Sequence, residues 1–171
     1  GPGSTTSRSS LSTYADKLHP DNSHVSPDCL PYALFALPHM WRAERPEFVL
    51  TRSAKGCIVP KNAKASRCIE IQPDLNIYFQ LGAGALLRRQ LLWSGIDLSD
   101  QSRNRYLAYK GSVSNDLATI DLSSASDTIS YSLVAFLLPP DWRTLLEDLR
   151  TTHVTWPDGE IQLEKWSAMG N

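Results

Sequence analysis

Two carboxylates bracket the run Asp121-Leu122-Ser123-Ser124-Ala125-Ser126-Asp127. A carboxylate that emerges from a buried strand into a turn can ligate Mg²⁺, a hard cation that takes oxygen ligands. Asp121, with Leu122 beside it, is therefore the candidate metal position, and Ser126 and Asp127 stand where a helix would begin. Taken alone, the run also reads as an ordinary acidic cap after a strand. A second constellation is Pro60-Lys61-Asn62-Ala63-Lys64-Ala65-Ser66-Arg67, with Lys61, Lys64 and Arg67 as three cations in seven residues. Such a loop can grip a triphosphate, the arginine through a bidentate fork and the lysines as point charges, or it can be a plain basic surface loop. The third is Ser167-Ala168-Met169-Gly170-Asn171, whose small and turn-forming residues suit a loop laid close to another chain or to a sugar.

The elements that must position these groups follow from local pattern. Cys57-Ile58-Val59 and Cys68-Ile69-Glu70-Ile71 read as strands joined by the basic loop 60–67. Pro73 opens a helix whose apolar face carries Leu75, Ile77, Tyr78, Leu81, Ala85 and Leu92; Arg88 and Arg89 suit its end, and Gly95 stops it. Ser99 to Lys110 reads as a weaker helix. Leu117 to Leu122 reads as a mostly buried strand ending at the acidic run. Ser126 or Asp127 then caps a helix over Thr128 to Leu138, closed by Pro139-Pro140, and Pro140 starts another over Asp141 to Arg150. A hairpin closes the chain: Val154 to Trp156, a Pro157-Asp158-Gly159 turn, and Glu160 to Trp166. Residues 1–13 are rich in Gly, Ser and Thr and read as a flexible tail. The prolines of residues 14–55 leave room only for short helical pieces, near Tyr32 to Leu37. Helices mixed with hairpins and antiparallel strands give the α+β class.

The 171 residues are 42 % hydrophobic and 20 % charged, as in a globular chain with a core. The longest apolar run, Leu133 to Leu138, is far shorter than the roughly 20 residues of a membrane-spanning helix. Cys29, Cys57 and Cys68 show neither zinc-site pairing nor a disulfide framework, and read as reduced thiols. The net charge of −1 is unevenly spread. From Arg42 to Arg67 seven Lys and Arg stand against Glu44 and Glu47; from Asn115 to Glu160 eight Asp and Glu stand against Arg143 and Arg150. A basic stretch can hold phosphates and an acidic stretch a divalent cation, although each can equally be a solvated face.

Taken in order, the segments VPKNAKASRCIEIQPDLNIYFQLG, WSGIDLSDQ, GSVSNDLATIDLSSASDTIS, LLPPDW, WPDG and EKWSAMGN make residues Val59 to Asn171 resemble the replicase of the small single-stranded RNA phages, the leviviruses. The resemblance is collinear over about two thirds of the chain, which makes it more specific than any one motif. It implies a right-hand RNA-dependent RNA polymerase, with residues 14–115 in the fingers and 116–171 in part of the palm. Lys61, Lys64 and Arg67 would occupy the motif that binds the incoming triphosphate. Asp121 would be the catalytic metal ligand of a site using two Mg²⁺ ions, and Ser126 and Asp127 would face the nucleotide's ribose. Ser167, Met169, Gly170 and Asn171 would begin the loop that positions template and ribose, with Ala168 where better-known members carry Ser.

The family's Gly-Asp-Asp hairpin, which supplies further metal carboxylates, occurs nowhere in the sequence. The resemblance therefore implies a piece of a longer polymerase, inactive by itself. It also implies RNA template and NTPs as partners, the host elongation factors Tu and Ts as possible further partners, and the cytoplasm of a bacterial host. The competing reading is a non-catalytic RNA-binding or assembly module. Asp121 and Asp127 speak against it, because carboxylates repel phosphates unless a metal intervenes.

Overall fold

The computed structural model describes residues 3–9, 22–36, 47–120 and 122–167. Among them lie six strands and five helices, an α+β arrangement as expected. The strands are β1 (Ser23–Val25), β2 (Phe48–Leu50), β3 (Ser53–Asn62), β4 (Ala65–Ile71), β5 (His153–Trp156) and β6 (Gly159–Gln162); the helices are α1 (Leu30–Ala36), α2 (Asp74–Trp93), α3 (Ser102–Ser114), α4 (Tyr131–Leu137) and α5 (Pro140–Leu149). The chain divides into two compact units, one of residues 1–81 with 126–171 and one of residues 82–125. No helix among the described residues is long and apolar enough to cross a membrane.

The first unit is built on a four-stranded sheet in the order β4-β3-β5-β6, while β1 and β2 pair in parallel as a separate ribbon. β3 and β4 form an antiparallel hairpin from Lys55↔Ile71 to Asn62↔Ala65, with a register shift between Pro60 and Asn62. The basic stretch expected as a loop is thus mostly strand, and the turn is only Ala63-Lys64. Asn62 Oδ1 accepts from Lys64 N at 2.9 Å, the side-chain link that lets asparagine tighten a short turn. Pro60 is tolerated because β5 pairs β3 only from Ser53 to Lys55, so that flank of the strand is open at position 60. Gly56 answers a different demand. A Cβ there would lie 2.5 Å from Trp156 Cδ2 and Cε2, so the indole of β5 occupies the space.

The start of α2 is a buried polar hub. Asp74 accepts from Thr5 Oγ1 and, at 3.0 Å, from His24 N. Asn76, fully buried, accepts from Ser26 N at 2.8 Å and donates to Ser26 Oγ at 2.7 Å and Leu149 O at 2.9 Å. Gln72 Oε1 accepts from Thr151 Oγ1 at 3.0 Å. The composition of the first thirteen residues points to flexibility, yet Thr5 is buried and Thr6 N donates to Gln72 O at 3.0 Å. Thr5 and Thr6 thus hydrogen-bond to Asp74 and Gln72, partners that composition cannot reveal. Across the unit, the Tyr32 ring of α1 lies tilted against Phe79 of α2, centroids 6.4 Å apart, and Tyr32 donates its hydroxyl to Asp148 of α5 at 2.8 Å.

α2 ends as the sequence predicts. Gly95 has φ +84°, Gly95 N donates to Leu92 O at 3.0 Å and Ile96 N to Leu91 O at 2.8 Å, the paired bonds of a glycine-closed helix end. Of the expected apolar face, Leu75 is buried whereas Leu81 and Leu92 are exposed. α3 begins later than the expected Ser99, because Ser99 N and Oγ both donate to Asp97 Oδ1 and Ser102 N to Asp100 Oδ1. Such local side-chain bonds compete with the helix.

Two expectations fail. The strand over 117–122 is absent from the described part, residues 116–120 being irregular, with Ile120 80 % and Leu122 71 % exposed. A short apolar run does not by itself specify a strand, and no described residue pairs with this one. The helix after the acidic run is capped not by Ser126 or Asp127 but by Ser130, whose side chain accepts from Leu133 N at 3.2 Å. Residues 123–128 form turns instead, with Ser124 at φ +53°. α4 stops before Pro139, which holds Leu138 extended at ψ 141°, and α5 starts at Pro140 as expected.

Candidate functional site

The triphosphate-binding candidates sit on the β3–β4 hairpin. Lys61 falls in the bulge between the Pro60↔Ser66 and Asn62↔Ala65 pairs, Lys64 in the turn, and Arg67 opposite Val59. All three are exposed, and none forms an ion pair among the described residues. Among the described residues their charges are uncompensated, which suits an anion coming from solvent. Alternation along β4 puts Arg67 on the face opposite to Glu70, because side chains three positions apart point to opposite sides of a sheet.

On the Glu70 face, the hairpin meets the acidic turn. Lys165 Nζ donates to Asp127 Oδ1 at 2.9 Å and lies 3.1 Å from Glu70 Oε1. Burial alone would lower the Lys165 pKa, but its hydrogen bonds to Asp127 and Glu70 outweigh that and hold the ammonium above the usual lysine value. Main-chain bonds lock the surroundings: Tyr131 N to Glu164 O at 2.9 Å, and Trp166 N to Ile129 O at 2.8 Å. Arg150 stacks 5.6 Å from the Tyr131 ring and 5.1 Å from the Trp166 ring while Nη2 donates to Lys165 O at 2.9 Å. Tyr131 and Trp166 stack on each other at 5.6 Å, and the Tyr131 hydroxyl donates to Glu147 Oε1 at 2.5 Å. Ser167 follows directly and is half-buried.

The structure thus brings Asp127, Lys165, Glu70 and Trp166 together, and binds the 129–131 and 164–166 segments to one another. Ser126 is half-buried, and its carbonyl accepts from Ile129 N at 3.3 Å. Leu122 lies in the second unit, and Asp121, Met169, Gly170 and Asn171 lie outside the described residues. No group of three His, Cys, Asp or Glu that could hold a metal occurs among the described residues. A separate cavity of about 250 Å³ is lined by Ser26, Asp28, Arg52, Arg150, Thr152 and His153, and none of the expected site residues borders it. Sequence reasoning missed Lys165, Glu70 and Arg150. One signal was present: Glu70 stands between Ile69 and Ile71, and a carboxylate inside a β-branched run needs a cation when buried.

A family model described as "RNA replicase, beta-chain" matches residues 2–171. The chain is 56 % identical over 119 residues to the RNA-directed RNA polymerase subunit beta of Qbeta virus (strain MX1), covering 68 % of this chain and 20 % of that protein. It is 56 % identical over 121 residues to the corresponding subunit of Enterobacteria phage SP, covering 70 % and 21 %. With the RNA-directed RNA polymerase beta chain of Escherichia phage MS2 it shares 46 % identity over 148 residues, covering 86 % and 26 %. The aligned part is about a fifth to a quarter of the length of these curated relatives. With a family match over nearly its whole length, this chain belongs to the RNA replicase beta-chain family.

Proposed function

We propose that this chain is the nucleotide-receiving part of an RNA-directed RNA polymerase, which adds NTPs to an RNA 3′ end on an RNA template. The observation that carries the reading is the bridge Glu70–Lys165–Asp127. It ties the basic hairpin to the acidic turn, and the main chain around Lys165 ties that turn to the loop beginning at Ser167. A triphosphate site and a ribose site must be held at a fixed separation, because transfer of a nucleotidyl group depends mainly on positioning and electrostatics.

In this reading Lys61, Lys64 and Arg67 bind the triphosphate, while Ser126 and Asp127 face the ribose. Ser167, Met169, Gly170 and Asn171 start a loop against template and nucleotide. Asp121 is the catalytic carboxylate, and it would hold Mg²⁺ together with the Leu122 carbonyl, the side chain of Leu122 being apolar. When bound, a pair of such cations supplies charge stabilisation at the attacking and leaving oxygens. Residues 14–115 would belong to the fingers and 116–171 to the palm of a right-hand polymerase. The polymerase would work in the cytoplasm of a bacterial host, with the host elongation factors Tu and Ts as candidate partners.

The test is nucleotide incorporation by a polymerase-length protein carrying this segment. Arg67→Ala should raise KM for NTP by about tenfold, the size of one charge-assisted hydrogen bond, and leave template affinity unchanged. An unchanged KM would remove the hairpin from the triphosphate site.

A further inference from the structure

Lys165 is held from two unequal sides. The Glu70 side chain is 6 % exposed and that of Asp127 is 43 % exposed. A nearly buried carboxylate requires its cation, since separating them would leave an uncompensated charge in a poorly hydrated place. Glu70 is therefore the anchor of the ammonium, and Asp127 is the partner that reaches solvent. The lysine's own main chain is fixed as well, because Arg150 Nη2 donates to its carbonyl at 2.9 Å and Trp166 N donates to Ile129 O at 2.8 Å. The ion pair takes up Asp127 Oδ1, whereas Oδ2 accepts no hydrogen bond among the described residues.

We propose that Lys165 is a positioning residue for sugar recognition: anchored on Glu70, it holds Asp127 by one oxygen so that the other faces the ribose hydroxyls of an incoming nucleotide. A carboxylate on a short side chain can rotate about its terminal torsion, and a hydroxyl donor gains most from an acceptor whose direction is already set. Pinning Oδ1 fixes the direction of Oδ2. Only a nucleotide with a 2′-hydroxyl profits from that, so beyond the bridge's effect on every nucleotide Lys165 acts on the preference for NTP over dNTP. The inference rests on the assignment of Asp127 to the ribose site.

The two ideas separate in one experiment. Single-nucleotide incorporation with NTP and dNTP is measured for a polymerase-length protein carrying this segment and for its variants. Lys165→Met combined with Glu70→Gln removes the cation without stranding the buried carboxylate. It should lower the NTP preference by about tenfold, because KM for NTP rises by about that factor more than KM for dNTP. Lys165→Arg should keep most of the preference. Asp127→Asn should lower it too, and adding the other two substitutions to Asp127→Asn should lower it no further, as expected for residues acting as a unit. Should the Lys165→Met/Glu70→Gln protein not fold, Glu70→Gln alone loosens the anchor and should lower the preference, and an unchanged ratio there overturns the inference. If Asp127→Asn lowers the preference and the Lys165 variant does not, the positioning role is wrong and the ribose assignment stands. If Asp127→Asn leaves the preference intact, the ribose assignment fails and the inference falls with it. A Lys165 variant that slows NTP and dNTP alike marks a merely structural lysine and also overturns the inference.

Discussion

The indole of Trp156 fills the place where a side chain at Gly56 would begin: a Cβ on Gly56 would lie 2.5 Å from Trp156 Cδ2. The two residues belong to β3 and β5, the strands that pair in parallel and join the basic hairpin to the β5–β6 hairpin. Gly56→Ala must therefore displace a large ring or part the strands. We expect a loss of about 1–3 kcal/mol, the usual range for overpacking a filled site, read from denaturant unfolding of the 171-residue chain. A variant as stable as the parent would mean that the indole does not sit on Gly56.

Asn76 offers a second stability test. Its side chain satisfies Ser26 N, Ser26 Oγ and Leu149 O in a fully buried setting. Asn76→Ala strands buried polar groups on two other segments, and we expect about 3 kcal/mol of destabilisation. Gln80 Nε2 also donates to Leu149 O, at 2.8 Å, so the Ser26 amide is the group left with most to lose. Hydrogen exchange of that amide should accelerate in the variant by more than global unfolding explains.

The structure also fixes a thiol chemistry. Burial, reinforced by the Asp148 carboxylate, pushes the Cys29 thiol from near 9 up to about 12. Native Cys29 should resist alkylation at pH 8, while exposed Cys68 reacts readily. The linkage has a definite sign. A pKa raised on folding means that the folded chain holds the proton more tightly, so this stabilisation is complete below about pH 8.5 and falls as pH rises towards 12. Unfolding free energy measured between pH 8.5 and 10.5 should decline, and Cys29→Ala should flatten the decline. Equal slopes in parent and variant would contradict the assignment.

Much of the fold was legible because its signals are local. Pro73 and Gly95 delimit α2 to within two residues, and Cys57-Ile58-Val59, rich in β-branched residues, marks β3. Pro139-Pro140 separates α4 from α5, and Pro157-Asp158 turns the last hairpin. Errors arose where the deciding partner is distant in sequence. Leu117 to Ile120 has strand composition but no described strand to pair with. The hydrogen bond from Thr5 to Asp74, 69 positions along the chain, is likewise invisible to composition. The site divides in the same way. Lys61, Lys64, Arg67 and Asp127 are visible as residue types at suggestive spacing. Lys165 is not, because its role depends on two carboxylates that only folding brings to it.

The central claim is that the acidic run serves nucleotide addition, and Asp121→Asn compared with Asp127→Asn tests it most directly. In a polymerase-length protein carrying this segment, single-nucleotide incorporation at fixed Mg²⁺ is measured with NTP and with dNTP. Asparagine keeps the shape of Asp121 but loses the charge that a hard dication needs, so Asp121→Asn should abolish incorporation of both. An amide at 127 can still hydrogen-bond a hydroxyl, so Asp127→Asn should retain incorporation at a lower rate and discriminate less between ribose and deoxyribose. Near-normal incorporation by Asp121→Asn would contradict the account.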